Sequence, residues 1–502
     1  MSSSPKNPVL LLFNPRVARA GFQRLPLSLL QAAIHLDGRH EYEVIDGNLR
    51  QDEDKAALLL RRIEETGAKY LGITIMPGPQ LQNGLPILKR IKEVHPEIVV
   101  IAGGYFPSLN AELCAHNGAI DYVIDGPGED TLPELLDALE AGREPRDVVG
   151  LIFERDGRVV RTGKRAPTNP DELPWFPYDR VNVEEYIVST HLGSRTLSHH
   201  SSYGCPFTCN FCGVTGVAEG RWMPESAKRV ANITEHFVRN WNINALEFHD
   251  NNFFVQQKRC LEYAQELMRR DIKIAWWGEG RIDTLLKYKP ETWEAMRDSG
   301  LKMIFMGAEA SNAETLRRMN KGGTLKAQDS IVLARLMAQY GIVPEYSFIL
   351  GNPPEPRKDI EETIQFIRAI KDANPASEII MYRYDPVPLA GAMMDEVQKS
   401  GFTLPTSLDE WLEEKHAKVH MRRTAELPWL TRDDMRFIRN FETVLNAYYP
   451  TSTERRLHTP LTRIALRATS ALRYRLGVYD YPYELRALQK LIRYQRPETS
   501  GF

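Results

Sequence analysis

Short, continuously apolar runs alternate with amphipathic stretches through the first third of the chain. Residues 8–13 (Pro-Val-Leu-Leu-Leu-Phe) read as a buried strand, and similar runs fall at 42–46, 70–75, 98–102 and 121–125. Helical spacing of apolar residues fills the gaps, over Leu27 to Leu36, Glu53 to Thr66, Leu85 to Val94 and near Ala111. Five strands alternating with helices predict an α/β fold with a Rossmann-like, doubly wound parallel sheet. Ligands of such sheets sit beyond the carboxyl ends of the strands. Residues 150–162 then read as a hairpin turning on Asp156-Gly157. Pro167, Pro170, Pro174 and Pro177 follow, with Trp175 and Phe176 among them, and predict an extended linker pinned to a surface by its aromatics. Alternation resumes with strand-like runs at 245–249, 272–277, 303–307, 345–350 and 378–382, and a strand before Cys205 makes six βα units. Beyond residue 390 the pattern is mainly helical. These shifts divide the chain at 1–148, 149–190, 191–389 and 390–502, in keeping with 502 residues at roughly 150 per domain.

Composition narrows the class. With 64 basic side chains against 66 acidic ones, the net charge of −2 argues against a nucleic-acid-coating protein. No apolar run approaches the ~20 residues of a spanning helix, and the first residues lack a signal-peptide layout, so a soluble, cytoplasmic protein is expected. Only five cysteines occur, too few for a secreted disulfide framework. Three of them fall in Tyr203-Gly-Cys205-Pro-Phe-Thr-Cys209-Asn-Phe211-Cys212, a C-x3-C-x2-C spacing. Three thiolates can hold a four-iron, four-sulfur cluster by three corners and leave one iron open to a chelating molecule. A zinc site is the other reading, with His199 or His200 as a fourth ligand. Cys114 and Cys260 lie in helical stretches and read as buried small apolar residues.

The strand-end loops carry further candidates. In the first domain they are Asn14-Pro15-Arg16, Thr74-Ile-Met76-Pro-Gly78, Gly103-Gly104-Tyr105 and Gly126-Pro-Gly128-Glu129-Asp130-Thr131. Their glycines permit close backbone approach, and the last loop opens a helix whose first N–H groups suit a polar ligand. In an ordinary Rossmann-like module the same glycines would merely make turns. No G-x-G-x-x-G follows the first strand, which disfavours a nicotinamide or flavin dinucleotide. In the second half, Asp250-Asn251-Asn252 ends one strand and Gly278-Glu279-Gly280-Arg281 the next, where Arg281 could clamp a carboxylate. Glu309 in Gly307-Ala-Glu309 is placed to pair with an amine or ribose hydroxyl, and Gly351 follows Phe348-Ile-Leu. Each charge alone reads as a structural pair; their recurrence at successive strand ends favours a site.

Residues 8–142 resemble the cobalamin-binding domain that precedes many radical S-adenosylmethionine enzymes, and residues 195–385, above all the cysteine motif, resemble the radical S-adenosylmethionine superfamily itself. The resemblance implies a central partial (β/α)6 TIM-type barrel between the Rossmann-like domain and a helical C-terminal segment. It implies a 4Fe-4S cluster on Cys205, Cys209 and Cys212. S-adenosylmethionine would lie near Phe211, Asp250, Asn252, Arg281, Glu309 and Gly351, and cobalamin near Asn14, Thr74, Met76, Gly103, Gly104, Tyr105, Gly126, Gly128 and Glu129. Asn251 departs from the usual pair of acids, and the D-x-H-x-x-G motif that supplies a lower axial histidine is missing. The implied activity is methylation of an unactivated carbon through a 5′-deoxyadenosyl radical. A radical cyclase or rearrangement enzyme of the anaerobic magnesium-protoporphyrin ester cyclase type is the alternative, and a non-catalytic cobalamin or iron–sulfur sensor is another. Implied partners are a small-molecule, lipid-like or tetrapyrrole substrate and an external donor such as flavodoxin or ferredoxin.

Residues 451–496 hold nine arginines and one lysine against Glu454, Asp480 and Glu484. This excess reads either as a basic amphipathic surface for peripheral contact with an anionic membrane or acidic substrate, or as arginine stems packed on the barrel with their heads in water.

Overall fold

Successive residues of the first strand go to opposite sides of a sheet, and that alternation builds two cores. The computed structural model describes residues 9–321, 325–417, 427–453, 457, 459–492 and 494. Pro8 of the first expected strand, and Glu454, Arg455, Arg456, Arg493 and Arg496 of the basic tail, lie outside the described residues. The chain divides into two compact units, one of residues 1–188, 216–219 and 404–421, the other of residues 189–215, 220–403 and 422–502.

In the first unit the strands are β1 (Leu10–Asn14), β2 (Tyr42–Asp46), β3 (Tyr70–Thr74), β4 (Val99–Gly103), β5 (Tyr122–Ile124), β6 (Leu151–Arg155) and β7 (Arg158–Arg161). They form one sheet in the order β2-β1-β3-β4-β5-β6-β7, parallel through β5 and antiparallel thereafter. Leu11 and Phe13 join one core with Ile73, Val100 and Ala102; Leu10 and Leu12 join the other with Ile101 and Ile124. Helices on both faces bury β1 and β3 throughout, which is why they read as unbroken apolar runs. The hairpin turns on Asp156 and Gly157, both at positive φ, and extends the sheet through β5. The proline-rich stretch holds short 3-10 turns, Pro170–Glu172, Tyr178–Arg180 and Val183–Tyr186. Phe176, Tyr178 and Tyr186 are buried there, whereas Trp175 is exposed. The helix Leu408–Leu412, far along the chain, belongs to this unit: Leu408 and Trp411 enter the first core, and Trp411 packs edge-on to Phe106 with ring centroids 5.1 Å apart.

The second unit contains β8 (Thr196–His199), β9 (Ser202–Gly204), β10 (Trp222–Pro224), β11 (Ala245–Phe248), β12 (Ala275–Gly280), β13 (Leu301–Glu309), β14 (Val343–Leu350) and β15 (Glu378–Arg383). Six of these make a parallel sheet in the order β15-β14-β13-β12-β11-β8, and β9 pairs antiparallel with β10. Helices Ala227–Trp241, Gln257–Arg269, Pro290–Asp298, Asp329–Tyr340 and Pro356–Ala373 make the crossovers. β12 begins three residues later than its apolar run and continues through Gly278-Glu279-Gly280, expected as a loop. The extension runs against Phe254: a Cβ on Gly278 or Gly280 would come within 3.2 or 2.9 Å of its ring, so bare backbone lets the strand pass without displacing it. Beyond the sheet lie helices Arg432–Tyr448, Pro460–Leu476 and Tyr483–Leu491. Among the described residues no helix is long and apolar enough to cross a membrane.

Candidate functional site

The pairing of β9 with β10 closes the base of the loop that carries the cysteine motif. None of its three cysteines is in a disulfide; Cys209 is buried, and Cys205 and Cys212 are half-buried. Burial pushes the Cys212 thiol up to about 11 and raises that of Cys205, and the charge of Cys209 adds to both, so the three sulfurs share one electrostatic field. Two cations oppose that rise, Arg281 beside Cys205 and Lys321 beside Cys212. Arg281 also donates through Nη1 to the Cys209 sulfur at 3.4 Å. Three thiols facing two fixed cations are the donor set that thiolate ligation of an iron–sulfur cluster requires. The loop is held from the other side by Asn210, which donates to the Met319 and Arg318 carbonyls at 3.1 and 2.6 Å. His199, considered above as a zinc ligand, is instead buried against Glu225 at 3.3 Å and beside Phe237 and Phe248. Burial and neighbouring histidines press His200 down to about 3, leaving it neutral. Cys114 and Cys260 are fully buried in their helices.

The strand-end residues divide into several roles. The two prongs of Arg281 are taken by Asp283, at 3.0 and 3.1 Å, and by the Lys321 carbonyl, with the guanidinium over the Phe207 ring. Its carboxylate clamp is thus closed on a neighbour, and what it presents outward is the contact with Cys209. Asp250 is fully buried and receives Ser201 N–H at 3.0 Å, Ser201 Oγ–H at 2.8 Å and the Ser202 hydroxyl. It anchors the approach to Cys205, and Arg259 crosses beneath to Ser201 Oγ at 2.6 Å. Asn252 is buried with neither amide atom in a conventional hydrogen bond, and its amide favours the thiolate of Cys205. Glu309, at φ +64°, forms a buried ion pair with Lys321 at 2.6 Å. A Cβ on Gly307 would fall 1.8 Å from that carboxylate, so glycine opens the space the pair occupies. Lys321 also stands 5.6 Å from the centre of the Phe211 ring. Gly351 turns at φ +78° with its N–H on Asp359 at 2.9 Å, and a Cβ there would lie 2.5 Å from Leu430, so a leucine side chain fills the approach. Lys321 and Leu430 carry no sequence signal, because they stand in loops away from any strand end, whereas Asp283, two residues past Arg281, could have been found by its place after β12.

Register sets Ser198, Glu247 and Trp277 side by side across β8, β11 and β12, on one face of the sheet. Trp277 Nε1–H donates to Glu345 at 3.2 Å, and His249 lies 3.3 Å from Glu247 with its ring 5.3 Å from that of Trp277. Ser198 Oγ is buried with no partner. Burial raises the Glu279 carboxyl to about 7; Asp250 and Glu345 add to the rise and His249 opposes it.

In the first unit, Asn14 donates to Asp46 at 3.0 Å and accepts from Gln80 at 2.8 Å, while Gln80 receives the Met76 N–H at 2.9 Å. Asn48 bonds Asp46 and receives the N–H groups of Val17 and Ala18. The network cross-braces the loops after β1, β2 and β3 and leaves the Met76 side chain exposed. Gly104 is at φ +94°, and a Cβ there would lie 2.8 Å from Thr74 Oγ1. Gly126, at φ +100°, faces open space, and Gly128 packs on Ala32. Tyr105 starts the short helix Tyr105–Leu109, and Glu129 is buried, its carboxyl raised by burial. A row of bare backbone at the carboxyl edge, beside an exposed methionine, suits a large flat ligand held by packing and main-chain contacts. These loops contain no histidine to serve as an axial ligand.

Comparison with known proteins agrees with this division of labour. Residues 14–136 match the B12 binding domain, and residues 200–367 match the radical SAM superfamily. The chain is a radical S-adenosylmethionine enzyme that carries a B12-binding domain ahead of its radical SAM domain. It is 28% identical over 350 residues to the uncharacterized methyltransferase PH0819 of Pyrococcus horikoshii, covering 69% of this chain and 73% of that protein. It is 27% identical over 302 residues to the anaerobic magnesium-protoporphyrin IX monomethyl ester cyclase of Rubrivivax gelatinosus, covering 59% of this chain and 53% of the cyclase. Its fold is similar to that of the radical S-adenosylmethionine methyltransferase TsrM from Kitasatospora setae, solved with cobalamin and a [4Fe-4S] cluster. There the TM-score is 0.64 at 19% identity, over 78% of this chain and 75% of that one. It is also similar to that of the radical enzyme OxsB with aqua-cobalamin and S-adenosylmethionine bound, with TM-score 0.68 at 16% identity over 97% and 75%.

Proposed function

We propose that this enzyme is a cobalamin-dependent methyltransferase acting on carbon in a small-molecule substrate. The observation that carries the reading is the loop of Cys205, Cys209 and Cys212, free of disulfides and faced by Arg281 and Lys321. When bound, a 4Fe-4S cluster on those thiolates would leave one iron for S-adenosylmethionine and supply the electron for its cleavage, and cobalamin would supply a methyl group. The rest is the work of the chain's own residues. Arg281 and Asp250 are positioning residues, one fixing Cys209 and the other the approach to Cys205. Phe211, Asn252, the Glu309–Lys321 pair and the backbone at Gly351 are the candidates to border the nucleotide. Gly103, Gly104, Gly126 and Gly128, with Thr74, Met76, Tyr105 and Glu129, are the candidates to border the corrinoid, on loops braced by Asn14. The six-stranded sheet is read as the partial (β/α)6 barrel, and its face of Ser198, Glu247, Trp277 and Glu345 would receive the substrate. The reading takes the enzyme as cytoplasmic and supplied with electrons by a flavodoxin or ferredoxin.

Methyl transfer is supported by the Pyrococcus and Kitasatospora proteins, both described as methyltransferases. The Rubrivivax relative supports cyclisation as the second reading. Anaerobic reconstitution with iron, sulfide, cobalamin and S-adenosylmethionine under reducing conditions tests both. 5′-Deoxyadenosine together with a product heavier by one methyl group is expected; a product without added carbon would favour the cyclase. An intact cluster that yields no 5′-deoxyadenosine would sink the radical chemistry.

A further inference from the structure

The helix Pro460–Leu476 is held by one stripe of residues and shows a second, apolar stripe to solvent. Leu466, Ser470 and Tyr474 are buried, and Tyr474 stacks on Tyr448 with ring centroids 4.4 Å apart. On the far side Leu461, Ile464, Ala468, Leu472 and Leu476 recur at steps of three and four residues, the spacing of one helical face. Leu461, Ile464, Leu472 and Leu476 are 81, 64, 71 and 67% exposed, and Leu491 on the next helix is 82% exposed. Tyr481 and Tyr483, stacked on one another, are exposed where the next helix begins. Scattered exposed leucines need no explanation, but a continuous stripe of them marks a contact surface.

Charge decides what covers it. From 459 to 494 the described residues include six basic side chains against Asp480 and Glu484, and Glu484 is already paired with Arg473. Arg475 is exposed beside the stripe and Lys490 on the next helix, while Arg467 lies over the Tyr448 ring at 5.1 Å on the packed side. A second copy would set these like charges against one another, whereas an anionic surface would complement them. Aliphatic side chains on one face of a helix, flanked by cations and bordered by tyrosines, match the boundary between acyl chains and headgroups. We infer that the helix Pro460–Leu476, with Leu491, docks the enzyme on the surface of an anionic lipid bilayer without crossing it. The inference does not rest on the methyltransferase reading.

The test is co-sedimentation of the full chain with vesicles of phosphatidylcholine alone or mixed with equal phosphatidylglycerol, at low and high salt. Binding to the anionic vesicles, weakened by salt and weak on the neutral ones, is the expected result. Leu472→Ala should weaken it about tenfold, and Leu461→Ala with Leu472→Ala further, as expected for aliphatic groups leaving a lipid phase. Both substitutions are at exposed sites, and unchanged thermal melting verifies the fold. Absence of binding to anionic vesicles, or binding indifferent to both variants, would overturn the inference. So would a dimer in analytical ultracentrifugation, or a complex with an acidic flavodoxin, that the variants abolish while vesicle binding persists.

Discussion

Replacing Glu279 by Gln should make the protein more stable, and more so as the pH rises. In the native state the carboxyl is held near 7 against an ordinary value of 4.5, chiefly by burial, with Asp250 and Glu345 adding to the effect and His249 opposing it. The unfolded chain ionises this group from 4.5 upward while the folded chain resists until about 7. Native stability is therefore intact below 4.5 and is lost progressively as the pH climbs through 7. Each pH unit in that window costs about 1.4 kcal/mol, so the loss is about 1 kcal/mol at pH 5.5 and about 3 kcal/mol at pH 8. Gln has no charge to desolvate and escapes the loss. Urea denaturation of the full chain at both pH values, followed by tryptophan fluorescence, reads the difference directly. A variant no more stable than the parent at pH 8, or an advantage equal at both pH values, would refute the reasoning.

Alanine at Cys205, Cys209 or Cys212 should abolish the iron–sulfur charge-transfer absorbance of the reconstituted protein, whereas alanine at Cys114 or Cys260 should leave it, as absorption spectra will report. Gly104→Ala places a Cβ at φ +94° and 2.8 Å from Thr74 Oγ1; a loss of about 1–2 kcal/mol in the first unit, with weaker corrinoid uptake, should appear in denaturation and spectral titration. Lys321→Met strands the buried Glu309 carboxylate, and a cost of about 3–5 kcal/mol is expected by chemical denaturation, with Glu309→Gln in the same chain recovering part of it.

Much of the fold was legible because burial on both sides leaves unbroken apolar runs, as in β1 and β3. Where a strand passes an aromatic cluster on bare backbone, as β12 does at Gly278 and Gly280, hydropathy falls silent although the strand continues. The cysteine loop was legible from spacing alone. Its electrostatic surroundings were not, because Lys321 reaches Cys212 and Glu309 from the loop after a helix, and partnership across the fold leaves no local pattern. Arg281 was found by its place after a strand, yet the Asp283 two residues on that occupies its prongs was overlooked. Glycine was ambiguous for a similar reason: at Gly126 it faces open space, whereas at Gly351 it accommodates Leu430.

The placement of Trp411 and Leu408 in the core beside Phe106 has a bearing on how the protein is made. During synthesis the first 188 residues leave the ribosome long before these two side chains exist. At roughly 10 residues per second, the nascent domain waits about 20 s with an apolar notch where the tryptophan belongs. A fragment ending near residue 190 or 390 retains that notch permanently. Shortened versions of the corrinoid domain should therefore aggregate unless residues 404–417 are supplied, covalently or as a peptide. The earliest domain in the chain is among the last to be finished.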